Sequence, residues 1–315
     1  MRILLLDIDS KIPNLALMKI SAYHKSIGDD VSFNNTDSPD IVYASIIFKH
    51  NKTLANSLKF YYPSAKIIIG GSGFSLDSHL PEEIELQKPD YDLYPEWLDN
   101  GYHNDKSIGY TTRGCNRSCG FCIVPNKEGK FRIAQHPDQF VDDRYSKVVF
   151  LDNNILLDKL WFFLVMDFCE DWGLSVDFNQ GLDIRLLDER VASKLADIKF
   201  HAGYRFAFDN SNMANLIKEK CELLKSVGIN IRHNAQFYVY CDSDQAYDDA
   251  VWRCRYLKEL NTNPFVQYNI DKKPTKRIQQ LRRWANRKQA FWSFDIADYD
   301  RTAYRTSILE DRWGT

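Results

Sequence analysis

Three cysteines within eight residues constrain this chain more than any other feature. They lie in Thr111-Thr112-Arg113-Gly114-Cys115-Asn116-Arg117-Ser118-Cys119-Gly120-Phe121-Cys122, spaced Cys-x3-Cys-x2-Cys. Three thiolates this close in sequence suit three irons of one cubane cluster. The next cysteine is Cys169, so the fourth iron is left for another ligand. Clusters that only carry electrons normally have four cysteine ligands, so three point to a cluster that binds a substrate. Zinc held by the triad and His136 is the competing reading, although zinc sites more often use paired Cys-x2-Cys units. A disulfide framework fits poorly, because the chain reads as cytosolic and seven cysteines cannot all pair.

Around this loop the sequence alternates strand and helix. Ile3–Leu6, Ile41–Ile47 and Ile67–Ile69 read as strands, with helices expected over Asn14–Ile27 and Leu54–Phe60. Near-continuous β-branched runs suit a parallel sheet covered on both faces, and the alternation argues an open α/β layer. Pro81 to His103 reads as an irregular connection. Further strands are expected at Ile108–Thr112, Val148–Leu151, Leu174–Phe178, Tyr204–Phe208, Ile231–Tyr240 and Pro264–Tyr268. The helices between them cover Leu156–Trp172, Asp188–Ala196, Met213–Val227 and Ser243–Leu260, two of them followed by a capping glycine, Gly173 and Gly228.

The chain of 315 residues is 44% hydrophobic and 14% aromatic, enough for a substantial core. Its formal net charge of −2 makes no global case for nucleic acid or an acidic membrane. The apolar start of the chain meets Asp7 too soon for a signal peptide. The run Leu160–Met166 falls far short of the ~20 residues that span a bilayer. Cytoplasmic location and no membrane partner are the expectation.

The cysteine loop closely resembles that of the radical S-adenosylmethionine superfamily. The resemblance implies a 4Fe-4S cluster on Cys115, Cys119 and Cys122, with S-adenosylmethionine chelated at the open iron. It implies an oxygen-sensitive enzyme that reductively cleaves S-adenosylmethionine to a 5′-deoxyadenosyl radical, which abstracts hydrogen from a substrate. A reducing donor such as flavodoxin or ferredoxin is implied as partner. The implied fold is a partial (β/α)6 TIM-like barrel over residues 104–270, preceded by a Rossmann-like, cobalamin-binding-type domain over 1–103. A basic helical segment, 271–315, follows and packs on the barrel.

Ligands of parallel barrels gather at the C-terminal strand ends. The resemblance implies, by position, cofactor contacts from Phe121 over the cluster or adenine, Asp152 or Asn153 on the methionine amino group, Gln180 after the third strand, Arg185 on the carboxylate and Asp209 near the ribose. Asp152-Asn153 departs from the usual Gly-Gly-Glu and equally suits a turn or cap. Arg185 equally suits a surface ion pair with Asp188 or Glu189. Gln236 and Tyr238 are candidates for lining the substrate cavity, and Cys241, at the C-terminal end of the fifth strand, is a candidate to face it. Cys169, Cys221 and Cys254 read as buried helix residues.

The signature Asp-x-His-x-x-Gly is missing after the first strand, which reads Asp7-Ile8-Asp9-Ser10-Lys11-Ile12, and this argues against cobalamin. His24 reads as a packing or surface residue and Gly70–Gly73 as a strand-end turn. Lys272 to Lys288 carries eight positive residues and no acidic one, with Ile278, Leu281 and Ala285 as an apolar stripe. Its charges suit phosphates or a solvated face. A nucleotide or nucleic acid is therefore a candidate substrate. Methylthiolation is disfavoured because no cysteine precedes Cys115 to hold a second cluster. The rival functions are cobalamin-dependent methyl transfer and a non-catalytic, metal-stabilised nucleic-acid-binding protein.

Overall fold

The structure, a computed structural model, describes residues 1–94, 105–269 and 271–300. The chain is mixed α/β with parallel sheets, and it forms two compact units. The first comprises Met1–Gln180 and Ile198–His201; the second comprises Gly181–Asp197 and the chain from Ala202 onward. Part of the expected connection and of the C-terminal segment, residues 95–103 and 301–315, lies outside the described residues.

The first unit opens with a four-stranded parallel sheet of order β2-β1-β3-β4. Its strands are β1 (Arg2–Asp7), β2 (Asp30–Phe33), β3 (Ile41–Ser45) and β4 (Lys66–Gly70). Ile3, Leu4 and Leu5 of β1 have no exposed surface, as a central strand covered on both faces requires. Helix α1 (Leu15–Ser26) starts where Asn14 Oδ1 accepts the Leu17 N–H and ends before Gly28, whose φ is +81°. Helix α2 is Lys52–Tyr61. Strand β2 is not among the strands expected from the sequence, because its four residues, Asp-Val-Ser-Phe, follow Gly28-Asp29 and carry little apolar signal.

The far ends of β1 and β3 are stitched together. Asp9 accepts the Ile47 and Phe48 N–H groups at 2.7 and 3.1 Å and the Asn51 amide at 2.9 Å. The glycine run after β4 lies flush on the same segment. A Cβ on Gly71 would stand 2.2 Å from the Ile46 carbonyl oxygen, and one on Gly73 2.7 Å from Phe48 backbone. Strand-end packing, not ligand approach, is what these glycines serve. The crevice at the strand-order reversal, where a doubly wound sheet takes its ligand, is thus crossed by the chain's own hydrogen bonds. His24 is buried between Asp29 (2.7 Å) and the Tyr43 hydroxyl (3.1 Å).

After helix α3 (Glu82–Glu85), the same unit continues with a three-stranded parallel sheet. Its first strand is β5 (Lys106–Gly109), and a small antiparallel ribbon follows it, β6 (Thr112–Arg113) with β7 (Arg132–Ile133). Between the ribbon strands lies a short helix, α4 (Val124–Lys127). The sheet is completed by β8 (Lys147–Phe150) and, after helix α5 (Lys159–Asp171), by β9 (Ser175–Phe178). Phe150 stacks on Phe178 at 5.7 Å between centroids. One hydrophobic core runs from Ile3, Leu5, Leu17 and Met18 to Ile108, with Tyr145, Val149 and Leu151 packed against it.

The second unit holds helix α6 (Glu189–Asp197) and strands β10 (Tyr204–Ala207), β11 (Ala235–Tyr240) and β12 (Asn263–Gln267), parallel and in that order. Helix α7 (Ala214–Ser226) and a single turn, α8 (Ile231–Asn234), precede β11. Strand β11 therefore starts four residues later than expected, its first residues being held in that turn. Helix α9 (Tyr247–Glu259) connects to β12. The basic segment forms α10 (Lys276–Ala285), capped by Thr275, with Ile278, Leu281, Trp284 and Ala285 buried. A last helix, α11 (Lys288–Ser293), buries Phe291. No described helix is long and apolar enough to cross a membrane.

Candidate functional site

The cysteine loop follows β5 and is closed at its base by the β6–β7 ribbon, in which Thr112 pairs with Ile133 and Arg113 with Arg132. Gly114 makes the turn into the loop at φ +78°, and a Cβ there would meet the Lys130 carbonyl oxygen at 2.2 Å. Cys115 N–H donates to Gly129 O at 3.2 Å, Phe131 N–H to Asn116 Oδ1 at 3.2 Å, and Cys122 N–H to Cys119 O at 2.9 Å. These bonds fix the backbone that carries the thiols.

Cys115, Cys119 and Cys122 are partly exposed, whereas Cys169, Cys221, Cys241 and Cys254 are buried. Burial pushes the Cys221 thiol up to about 12 and the Cys241 thiol up to about 11. Cys241, a candidate to face the cavity, has no exposed surface and rests against the Ser243 carbonyl. The alternation along β11 turns it inward.

Two loop sulfurs already face N–H donors: Val124 N–H stands 3.5 Å from Cys122 Sγ and Asn154 Nδ2 3.6 Å from Cys115 Sγ. Such donors accompany thiolate ligands of iron–sulfur clusters. Soft thiols on a fixed, accessible loop with N–H groups at sulfur fit a cluster, so Cys115, Cys119 and Cys122 are the residues that would hold one. Among the described residues, no three histidine, cysteine or acidic side chains converge as ligands of a single metal ion. His136 packs edge-on against Trp161 and Phe168 and lies 2.7 Å from Asp138. Phe121 and Ile123 are about half exposed on the loop, at 46% and 50%.

The residues after β8 grip this loop one after another. Asp152, 3% exposed, accepts from the N–H and hydroxyl groups of both Thr111 and Thr112 at 2.6–3.1 Å. Burial raises its pKa despite those bonds. Asn153 Oδ1 accepts the Gly114 N–H at 2.9 Å, and Asn154 reaches Cys115. Asp152 and Asn153, expected on the methionine amino group, therefore direct these oxygens at the strand and turn that carry the cysteines.

Arg113, just ahead of the glycine, anchors a charged network. Its Nε and Nη2 lie 2.6 and 2.9 Å from Glu128, and its Nη1 lies 3.1 Å from the Tyr110 hydroxyl and 3.6 Å from Glu85. Glu85 pairs in turn with Lys19 at 3.0 Å, a lysine 1% exposed whose pKa is lowered by burial against the pull of Glu85. Burial opposes the charge on Glu128, yet Arg113 outweighs it and holds the carboxyl below its usual range.

Gln180 belongs to this first unit and lies beyond β9, its amide 3.4 Å from Asn179 Oδ1. The remaining candidates belong to the second unit. Arg185 pairs with Asp183 at 2.6 Å, an aspartate that also caps the turn Ile184–Leu186. Asp209 follows β10 in a segment fixed by Arg253, which donates to the Phe208 and Tyr240 carbonyls and to Asp249; Asp249 also accepts the Ser211 N–H. Gln236 and Tyr238 are half-buried on one face of β11. Basic residues of the C-terminal segment meet acidic ones, Lys272 with Asp242 at 2.6 Å and Arg277 with Asp248 at 3.4 Å.

No protein-family profile matches the chain. One characterised protein to which it is similar is the tRNA-2-methylthio-N(6)-dimethylallyladenosine synthase of Fusobacterium nucleatum, 27% identical over 108 residues. The match covers 30% of this chain and spans a quarter (25%) of the relative's length. This likeness supports the radical S-adenosylmethionine superfamily and no specific reaction within it.

Asn154, Glu128, Lys19 and Arg253 are site-supporting residues that sequence reasoning missed. Asn154 stood one residue past the expected pair, in a run of polar residues that reads as a turn. The others are charged residues whose burial only the fold reveals.

Proposed function

We propose that this protein is a radical S-adenosylmethionine enzyme whose substrate is a nucleotide or nucleic acid. The observation that carries the reading is the fixed, partly exposed Cys115–Cys119–Cys122 loop at the end of a parallel strand, with N–H donors at two of its sulfurs. Cys115, Cys119 and Cys122 would hold the cluster, which when bound would supply the reducing electron for cleavage of S-adenosylmethionine and so the means of hydrogen abstraction from substrate carbon.

This chain's residues do the holding. Asp152 and Asn153 fix the approach strand and the Gly114 turn. Phe121 would cover the cluster or adenine. Arg185 would meet the carboxylate of S-adenosylmethionine, for which a guanidinium is suited, and Asp209, placed by Arg253, would meet the ribose. Gln236 and Tyr238 would line the substrate cavity. A small reducing protein would deliver the electron. The relative's name supports RNA as the substrate class, as does the basic segment, where exposed Lys273, Lys276 and Arg282 suit phosphates.

The test is anaerobic reconstitution with iron and sulfide, reduction, and quantification of 5′-deoxyadenosine after adding S-adenosylmethionine. Product from the wild type but not from Cys119→Ala is expected. Zinc in place of iron in protein isolated without air would sink the reading. With product in hand, deuterium transfer into 5′-deoxyadenosine from labelled RNA identifies the substrate.

A further inference from the structure

We infer that Asn154 is a positioning residue that sets the reduction potential of the cluster through Cys115, an inference that rests on the reading just proposed. Asn154 is 4% exposed, and its Nδ2 lies 3.6 Å from Cys115 Sγ. Its place is determined from both sides. Asp152 and Asn153 bind Thr111, Thr112 and Gly114 ahead of it. Behind it, the Asn154 carbonyl accepts the Leu157 N–H at 3.2 Å, opening a turn anchored by Ile155 and Leu156, each 1% exposed. The backbone that carries the amide is thus held by the fold on both sides.

An N–H group directed at a ligating sulfur withdraws electron density from it. When the cluster takes one electron from its reductant, the added negative charge is spread partly over the sulfurs, so the N–H favours the reduced form. Burial makes the effect larger, since little water screens it. A second N–H at a loop sulfur belongs to the Val124 backbone. Asn154 is thus a side chain through which sequence can tune the potential without altering a ligand.

The test compares anaerobically reconstituted wild type, Asn154→Leu and Asn154→Asp. Iron and sulfide per chain are measured, followed by a dithionite potentiometric titration read by electron paramagnetic resonance. Leucine removes the donor without adding charge; aspartate keeps the shape if leucine disturbs folding. Wild-type iron content with a potential shifted to more negative values in Asn154→Leu is the expected result, with Asn154→Asp shifted the same way. An unchanged potential overturns the inference. So does failure of both variants to take up iron while the wild type does, because Asn154 would then be structural only. A wild type that takes up no iron overturns the cluster reading itself, a different failure from the other two.

Discussion

Gly114 stands where the chain must turn with positive φ and pass within contact of Lys130, and no side chain can share that space. Gly114→Ala should cost at least about 1–3 kcal/mol from backbone strain alone. The damage should be local: lower iron content after reconstitution, with far-ultraviolet circular dichroism close to wild type. His201 makes a pH-dependent contribution. Burial lowers its pKa more than Asp177 raises it, while its Nδ1 lies 2.9 Å from the Ser175 carbonyl. The unfolded chain binds this proton more readily than the folded one. Stability from His201 is therefore present near neutral pH and is lost as pH falls from the ordinary histidine range through the lowered folded pKa. Urea midpoints from pH 7.5 to 5.5 (about one unit either side of the ordinary histidine value) should decline more steeply in wild type than in His201→Gln.

At the scale of elements, Arg253 of α9 ties the ends of two neighbouring strands. Its guanidinium serves the carbonyl after β10 and the last carbonyl of β11. Arg253→Met leaves both acceptors stranded, at roughly 1–3 kcal/mol each. A fall in the thermal midpoint is expected, and an unmoved midpoint would show that water satisfies these carbonyls. Most strands and helices were legible because apolar runs and glycine caps mark them, as at Ile3–Leu5 and Gly173. Strand β2 was not, since pairing with β1 determines it more than its own residues do. The cysteine loop was legible from spacing alone. Its support was not: Asp152, Asn153 and Asn154 read locally as a turn, and only the pairing of β5 with β8 brings them beside Thr111, Gly114 and Cys115.

For the whole molecule, the core that joins Ile3, Leu5 and Leu17 to Ile108 makes the first 94 residues part of the body that carries the cysteines. Deleting residues 1–94 would expose these side chains, each worth roughly 1.5–3 kcal/mol when fully buried. The shortened chain should be insoluble or lack a cooperative unfolding transition. A soluble, cooperatively folding, iron-binding fragment would show that this core is dispensable. The network from Lys19 through Glu85 and Arg113 to Glu128 adds a rule for exchange. Lys19 and Glu85 come from the N-terminal layer, while Arg113 and Glu128 bracket the cysteines. A chimera given a foreign N-terminal layer inherits half of a charge circuit. It should recover its loop only when the four residues travel together.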